Sequence, residues 1–225
     1  MNSITTRFKS VVVPVVEGTQ GFPDRYLLVK DKVSGDWTFP GGGCRYVKSR
    51  ARDQDKYKPC AFEEFKEETR EAFKGHQGQM KYIGKFPSLE RSNNEKIDDS
   101  RRGKLGKVRQ LYLVYKLPLK LSEEQFKASK EEFKERLKDS RYQEDKYQET
   151  INAGLFTMEE IKRGPLDKSG KGLWSRMQKV LKIINQDQDQ WKQCKRLSSQ
   201  LNTSSNCWKQ VKKEKNFNRK RNHRK

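Results

Sequence analysis

The sequence predicts an α/β protein, because strand-like and helix-like segments alternate along the chain. Apolar runs rich in β-branched and aromatic residues, bounded by Gly and Pro, predict strands at residues 8–16, 26–30, 37–39, 80–86, 108–117 and 155–157. Apolar residues spaced three or four positions apart predict helices at residues 59–74, 122–138 and 173–184. The first two strands are separated by a turn rich in Gly and Pro, so we expect them to be neighbours.

Local signals predict where two of the helices begin and end. Ser122 followed by Glu123 and Glu124 is a helix cap with an acidic first turn. Pro59 suits a first turn, and Gly75 is a natural stop, so we expect that helix to continue to Lys74.

The composition predicts one domain with an extension. Only 32% of the residues are hydrophobic and 36% are charged, so part of the chain cannot bury itself. We therefore expect a folded domain at residues 1–186 and a polar to basic C-terminal extension at 187–225, partly disordered.

The charge predicts contact with a polyanion. Lys and Arg number 51 against 30 Asp and Glu, a formal net charge of +21. Nucleic acid, inositol phosphates and anionic membrane surfaces all fit this charge. The most apolar run, residues 11–16, is far shorter than the roughly 20 residues that span a bilayer. We expect no membrane association and an intracellular protein, cytoplasmic or nuclear.

The spacing of the four cysteines predicts that their thiols are isolated from one another. Cys44, Cys60, Cys194 and Cys207 are far apart in sequence, which suggests a reducing compartment. Only two histidines are present, so a zinc site has almost no support.

One helix carries a group of carboxylates on one side. Successive helical residues rotate by about 100°, so Glu64, Glu67, Glu68 and Glu71 share about a third of the circumference. A solvated acidic helix would show the same pattern. Crowded carboxylates suit Mg²⁺ or Mn²⁺, and the glycine turn at residues 40–43 offers space and N–H groups for a phosphate. The two features together favour a metal site.

These segments resemble the Nudix box of the Nudix hydrolase family. The resemblance rests on WTFPGGG at residues 37–43 and AFEEFKEET at residues 61–69. It implies an α/β/α sandwich around a mixed sheet over most of residues 8–185. It also implies that Glu64, Glu67 and Glu68 bind the metal and that Gly42 and Gly43 line the phosphate side.

The implied reaction is metal-dependent attack of water on a phosphorus of a diphosphate linkage. Glu64 and Glu67 are the candidate catalytic residues within the box. Asp55 stands where an earlier acid of the family would fall. Glu149, ahead of the last predicted strand, is a later candidate for the general base. The alternative is that Glu149 is an ordinary surface glutamate.

Three positions depart from the family pattern. The loop between the glycine turn and the helix is several residues longer than usual. Glu63 stands where the family has an Arg that orients a metal-binding glutamate, and Arg70 replaces the Gly that ends the helix. With Arg70 there, we expect the helix to continue and Glu71 to join the acidic face.

The basic segments favour capped or triphosphorylated RNA among diphosphate substrates. Arg101, Arg102 and Lys104 are the candidate substrate-binding cations, together with the C-terminal extension. A diphosphoinositol polyphosphate hydrolase is an alternative that would not need a long basic extension. A catalytically weakened Nudix-like RNA-binding subunit is another. The basic cluster at residues 218–225 would equally serve as a nuclear-import signal. The oligomeric state is not predicted.

Overall fold

The computed structural model describes residues 6–18, 22–45, 47–89 and 109–201, without the side chains of residues 89, 109 and 194–201. The chain divides into two compact units, Met1–Lys179 and Val180–Lys225. The candidate cations Arg101, Arg102 and Lys104 lie outside the described residues, as does the extension beyond residue 201. The boundary expected at residue 186 stays a prediction.

The first unit is built on a mixed sheet of seven strands, counted over the described residues. The strands are β1 (Thr6–Val16), β2 (Arg25–Asp31), β3 (Trp37–Thr38), β4 (Gly43–Cys44), β5 (Lys81–Leu89), β6 (Arg109–Leu119) and β7 (Thr150–Thr157). The main order is β3-β2-β1-β6-β5, with β4 paired to β1 and β7 paired to β2. Strands β1 and β6 are parallel, and the other pairs are antiparallel. The predicted α/β class and mixed sheet are confirmed.

The described helices are α1 (Asp53–Lys56), α2 (Lys58–Glu68), α3 (Glu123–Arg136), α4 (Met158–Arg163) and α5 (Gln178–Leu201). A core forms where α2 and α3 meet one face of the sheet, and it includes Phe65, Phe133, Val12, Leu27 and Leu113. The predicted cap of α3 is confirmed, because Ser122 and Gln125 form a reciprocal capping box. Helix α2 is thus held to the sheet by the apolar contacts of Ala61 and Phe65.

Helix α2 ends six residues before the predicted Lys74, so that prediction is wrong. The Arg70 N–H donates to Glu67 O at 3.1 Å, and the Glu71 N–H donates to Lys66 O at 2.8 Å. This is the Schellman pattern, with Arg70 and Glu71 at φ of 48° and 56°. A left-handed conformation costs a non-glycine residue about 1–2 kcal/mol. Glu71 therefore leaves the helix and does not join the acidic face.

Helix α5 also differs from its prediction. It begins at Gln178, five residues after the expected Leu173, and continues to Leu201. Residues 173–177 instead form a bridge to β3 and a short 3-10 turn. The described part of the second unit is the helical segment 180–201. No described helix combines the length and hydropathy that crossing a bilayer requires.

Candidate metal and diphosphate site

The glycine turn after β3 lies close to the backbone of β1. Val12 N–H donates to Pro40 O at 2.7 Å, and Ser10 N–H donates to Gly42 O at 2.9 Å. A Cβ on Gly41 would lie 2.9 Å from Val11 Cα and would overlap the Ser10 carbonyl oxygen. Only glycine permits this approach, so the sequence of the turn fixes its position on the sheet.

Two glutamates of α2 contact this turn. A Cβ on Gly42 would lie 2.6 Å from Glu64 Cδ and would overlap the carboxylate oxygens. The Gly41 N–H donates to Glu68 Oε2 at 3.2 Å. The structure therefore brings Glu64 and Glu68 to the predicted phosphate-side turn. At Gly43 a Cβ would meet no atom within 4 Å, so this end of the turn is open.

The carboxyl group of Glu64 is electrostatically coupled to other acids. Burial, followed by the charges of Glu67 and Glu149, raises its pKa to about 7, against a lowering influence of Lys9. A carboxyl group with this pKa is partly protonated near neutral pH. Several acidic groups thus share this part of the site with Lys9.

Glu68 is buried and shares this field. Burial raises its pKa well above the ordinary value, the Gly41 hydrogen bond opposes the shift, and the charges of Glu64, Glu149 and Asp31 add to it. Asp31 Oδ1 also accepts N–H bonds from Val33 and Ser34 in the turn after β2. Asp31 is therefore fixed in position beside the glutamates.

Glu149 joins the group from a distant part of the sequence. It immediately precedes β7, and its carbonyl oxygen accepts a hydrogen bond from the Lys32 N–H at 2.8 Å. Burial raises the pKa of its carboxyl group, with further contributions from the charges of Asp31, Glu67 and Asp145. The structure thus places this candidate base in the same field as the three glutamates of α2.

Glu67 lies at the more open side of the site. Its Oε1 is 3.7 Å from Lys146 Nζ, which also pairs with Glu144 at 3.2 Å. Among the described residues, Lys146 and Lys9 are cations placed beside these acids, and neither was predicted from the sequence. Lys9 lies just before the apolar run of β1, and its sequence neighbours give no signal for this role.

Two other acids considered from the sequence lie elsewhere. Glu63, which replaces the family's Arg, is exposed and pairs with Lys66 at 2.9 Å along the helix. Asp55 is on helix α1 and pairs with Arg52 at 2.9 Å, with about half of its side chain exposed. Neither residue is among the charges that shift Glu64, Glu68 or Glu149.

The prediction of isolated thiols is wrong for Cys44 and Cys60, which form a disulfide. This bond joins β4, directly after the glycine turn, to α2 one turn before Glu64. Sixteen positions separate the two cysteines, and the enlarged loop lies between them. The expectation of a reducing compartment loses its basis, because it depended on unpaired thiols.

The donor chemistry of the site fits a divalent cation. Carboxylate oxygens are the ligands that Mg²⁺ and Mn²⁺ prefer, and a cation would offset the burial and the repulsion that raise the pKa of Glu64. In the part of the chain that the structure describes, no three His, Cys, Asp or Glu side chains already converge as a metal cage. Metal binding by Glu64, Glu67 and Glu68 therefore stays a prediction.

Comparison with known proteins finds solved structures that are similar to this chain at low sequence identity. No protein-family model and no curated protein matches the chain. A Nudix hydrolase from Nitrosomonas europaea is 14% identical, with a TM-score of 0.47 over 80% of this chain and 89% of that one. The Nudix domain of NrtR from Shewanella oneidensis, solved with ADP-ribose, is 10% identical, with a TM-score of 0.42 over 83% and 89%.

A MutT/Nudix protein from Enterococcus faecalis is 15% identical, with a TM-score of 0.36 over 70% of this chain. The chain spans 46% of the length of that protein. All three are described as Nudix proteins, the family that residues 37–43 and 61–69 resemble.

Proposed function

We propose that this protein is a Mg²⁺- or Mn²⁺-dependent hydrolase that cleaves a diphosphate linkage in a nucleotide-type substrate. One observation carries the proposal: the carboxyl groups of Glu64 and Glu68 lie against Gly42 and Gly41, in the same field as Glu149. Carboxylates for a cation and an open glycine turn for a phosphate are the two parts that such a reaction requires.

Each residue has a distinct role in this proposal. Glu64, Glu67 and Glu68 would hold the cation, which when bound would neutralise the diphosphate and acidify the attacking water. Gly42 keeps the turn next to Glu64, and the space at Gly43 would admit a phosphate group. Lys9, opposite Gly43 in the β1–β4 pair, would attract the substrate's negative charge.

Glu149 is the proposed general base. Its raised pKa makes its carboxylate a better proton acceptor than an ordinary glutamate. Its carbonyl group is fixed by Lys32, so the side chain starts from an anchored backbone. In this role the carboxylate takes a proton from water as the water oxygen attacks phosphorus. The bond from that phosphorus to the bridging oxygen breaks, and the other phosphate group leaves with the bridging oxygen.

The proposed substrate is the capped or triphosphorylated 5′ end of RNA. The net charge of +21 favours a polyanion larger than a free nucleotide. Arg101, Arg102, Lys104 and the basic extension are proposed to contact the RNA backbone, which would position the 5′ end without reading its sequence. The proposal places RNA binding and diphosphate cleavage on different residues, so the two can be separated by mutation.

The experiment incubates the full chain with Mg²⁺ or Mn²⁺ and a panel of capped RNA, triphosphorylated RNA, nucleoside diphosphate derivatives and diphosphoinositols. Products are identified by mass. We expect release of cap nucleotide or diphosphate from RNA. Cleavage of diphosphoinositols alone would overturn the RNA assignment, and no turnover on any substrate would overturn the enzymatic function.

Substitution then tests the site. Glu67→Gln and Glu68→Gln should each reduce turnover by about 100-fold or more, with RNA binding unchanged. Glu63→Gln is the matched control, because Glu63 lies on the same helix but pairs only with Lys66 among the described ion pairs. Cleavage that persists in the first two variants would exclude these residues as the site.

A further inference from the structure

Arg70 is fully buried at the position where the Nudix box has glycine. It adopts a positive φ, which favours glycine over every other residue. A charged side chain is also costly to bury without partners. Two unfavourable features at one residue require compensating contacts.

Those contacts lead to the strand that follows Glu149. The Arg70 guanidinium donates through Nη2 to the carbonyl oxygen of Thr150, and its Nη1 lies 3.5 Å from Thr150 Oγ1. Thr150 Oγ1 in turn donates to the carbonyl oxygen of Glu68 at 2.7 Å. The guanidinium also stacks on Phe133 of α3, 4.3 Å from the ring centre. The end of α2 is thus tied to Thr150 in two ways.

The backbone of the Glu149 segment is therefore anchored at two successive carbonyl groups. Its own carbonyl oxygen is held by the Lys32 N–H, and the next carbonyl oxygen is held by Arg70. The register of β7 on β2 shifts here, because Lys30 pairs with Asn152 whereas Asp31 pairs with Thr150. The ladder thus skips Ile151, so it does not by itself hold the segment in a regular register.

We propose that Arg70 is a positioning residue that holds the Glu149 segment in place beside the carboxylates of α2. The inference rests on the proposed function, in which Glu149 accepts a proton from water. Arg70 does not touch the substrate in this scheme. It acts through the peptide group of Thr150. Arg70 thus supplies an orienting cation from the end of α2, whereas Glu63 stands at the position where the Nudix box has its orienting Arg.

The decisive variant is Arg70→Gly. Glycine keeps the helix termination, because positive φ suits it, and removes only the side chain. With the substrate that the wild type cleaves, kcat should fall by about 10-fold with KM changed less than about twofold. Arg70→Lys, which keeps one donor and the charge, should recover part of the loss. Val13→Ala, which truncates a buried side chain of β1, provides the comparison for a loss of stability alone.

A double-mutant cycle shows whether Arg70 acts through Glu149. In a Glu149→Gln background, Arg70→Gly should reduce kcat little further. Full additivity, or a kcat loss equal to that of Val13→Ala, would overturn the inference.

A second measurement needs no activity. Amide hydrogen exchange of the metal-free full chain, followed by mass spectrometry, should be faster in Arg70→Gly over residues 148–152 and unchanged in the β1–β6 pair. Unchanged exchange over residues 148–152 would overturn the inference even if the wild type is an active enzyme. Faster exchange would support it even if the wild type cleaves no substrate, in which case only the proposed function fails.

Discussion

The carboxylate of Glu64 fills the space that a side chain at Gly42 would need. A Cβ there would lie 2.6 Å from Glu64 Cδ. The obstacle is the mobile end of a side chain, so the protein can accommodate a methyl group at Gly42 by moving the carboxylate. Gly42 is thus a requirement of the candidate site more than of the fold.

Gly42→Ala should therefore reduce turnover by on the order of 10- to 100-fold, because Glu64 is displaced. The free energy of unfolding should change by less than about 1 kcal/mol. Steady-state kinetics and urea unfolding measure the two effects. Gly78→Ala is the control, because a Cβ at Gly78 meets no atom within 4 Å, Gly78 lies outside the candidate site, and both quantities should stay near wild type. Equal activities of the two variants would contradict this reading.

Gly41→Ala, unlike Gly42→Ala, should clearly lower the free energy of unfolding. Its Cβ would overlap the carbonyl oxygen of Ser10 and approach Val11 Cα, both parts of β1 that cannot move alone. We expect a loss of about 1–3 kcal/mol in the free energy of unfolding, measured with urea. Wild-type stability in this variant would show that the turn does not lie on β1 as described.

The metal-free protein should lose stability as the pH rises, in part through Glu64. The pKa of this carboxyl group is about 7 in the folded protein against 4.5 for an ordinary glutamate. Between these values the folded state binds more protons than the unfolded state, so stability falls as the pH increases through that window. Thermal unfolding at several pH values with a chelator should show this decline, and Glu64→Gln should show a weaker one. Parallel curves for the two proteins would contradict the assignment.

Reduction of the Cys44–Cys60 disulfide should destabilise the protein. A bond that closes a loop of this length restricts the unfolded chain and contributes about 3 kcal/mol. Urea unfolding with and without a dithiol reductant measures the loss. The double variant Cys44→Ser, Cys60→Ser should match the reduced wild type and should not respond to the reductant. An equal response of both proteins would mean that this bond is not the one being reduced.

The features that sequence patterns predicted are those that local interactions decide. The cap at Ser122, the beginning of α2 near Pro59 and the apolar contacts of Phe65 depend on residues a few positions apart. The acidic side of α2 follows from helical geometry alone. These elements therefore agree with their predictions in type and closely in position.

The features that were missed depend on residues distant in sequence. Helix α2 ends at Glu68 although Arg70 disfavours the left-handed conformation, and the contacts of Arg70 come from Thr150, 80 positions later. Cys44 and Cys60 become neighbours only when the enlarged loop closes. Lys9 and Asp31 reach the carboxylates through strand pairing, which a single sequence does not specify.

The irregularity at Ile151 determines which side chains of β7 face the core next to Glu149. Ala153 and Leu155 of β7 belong to the core beside α2, and strict alternation would place Ile151 on that side and Thr150 on the other. The shifted register instead leaves Ile151 exposed and turns Thr150 inward to Glu68. A single inserted residue has thus exchanged the two faces of the strand. The candidate site should accordingly tolerate many substitutions in β7 far better than the deletion of one residue.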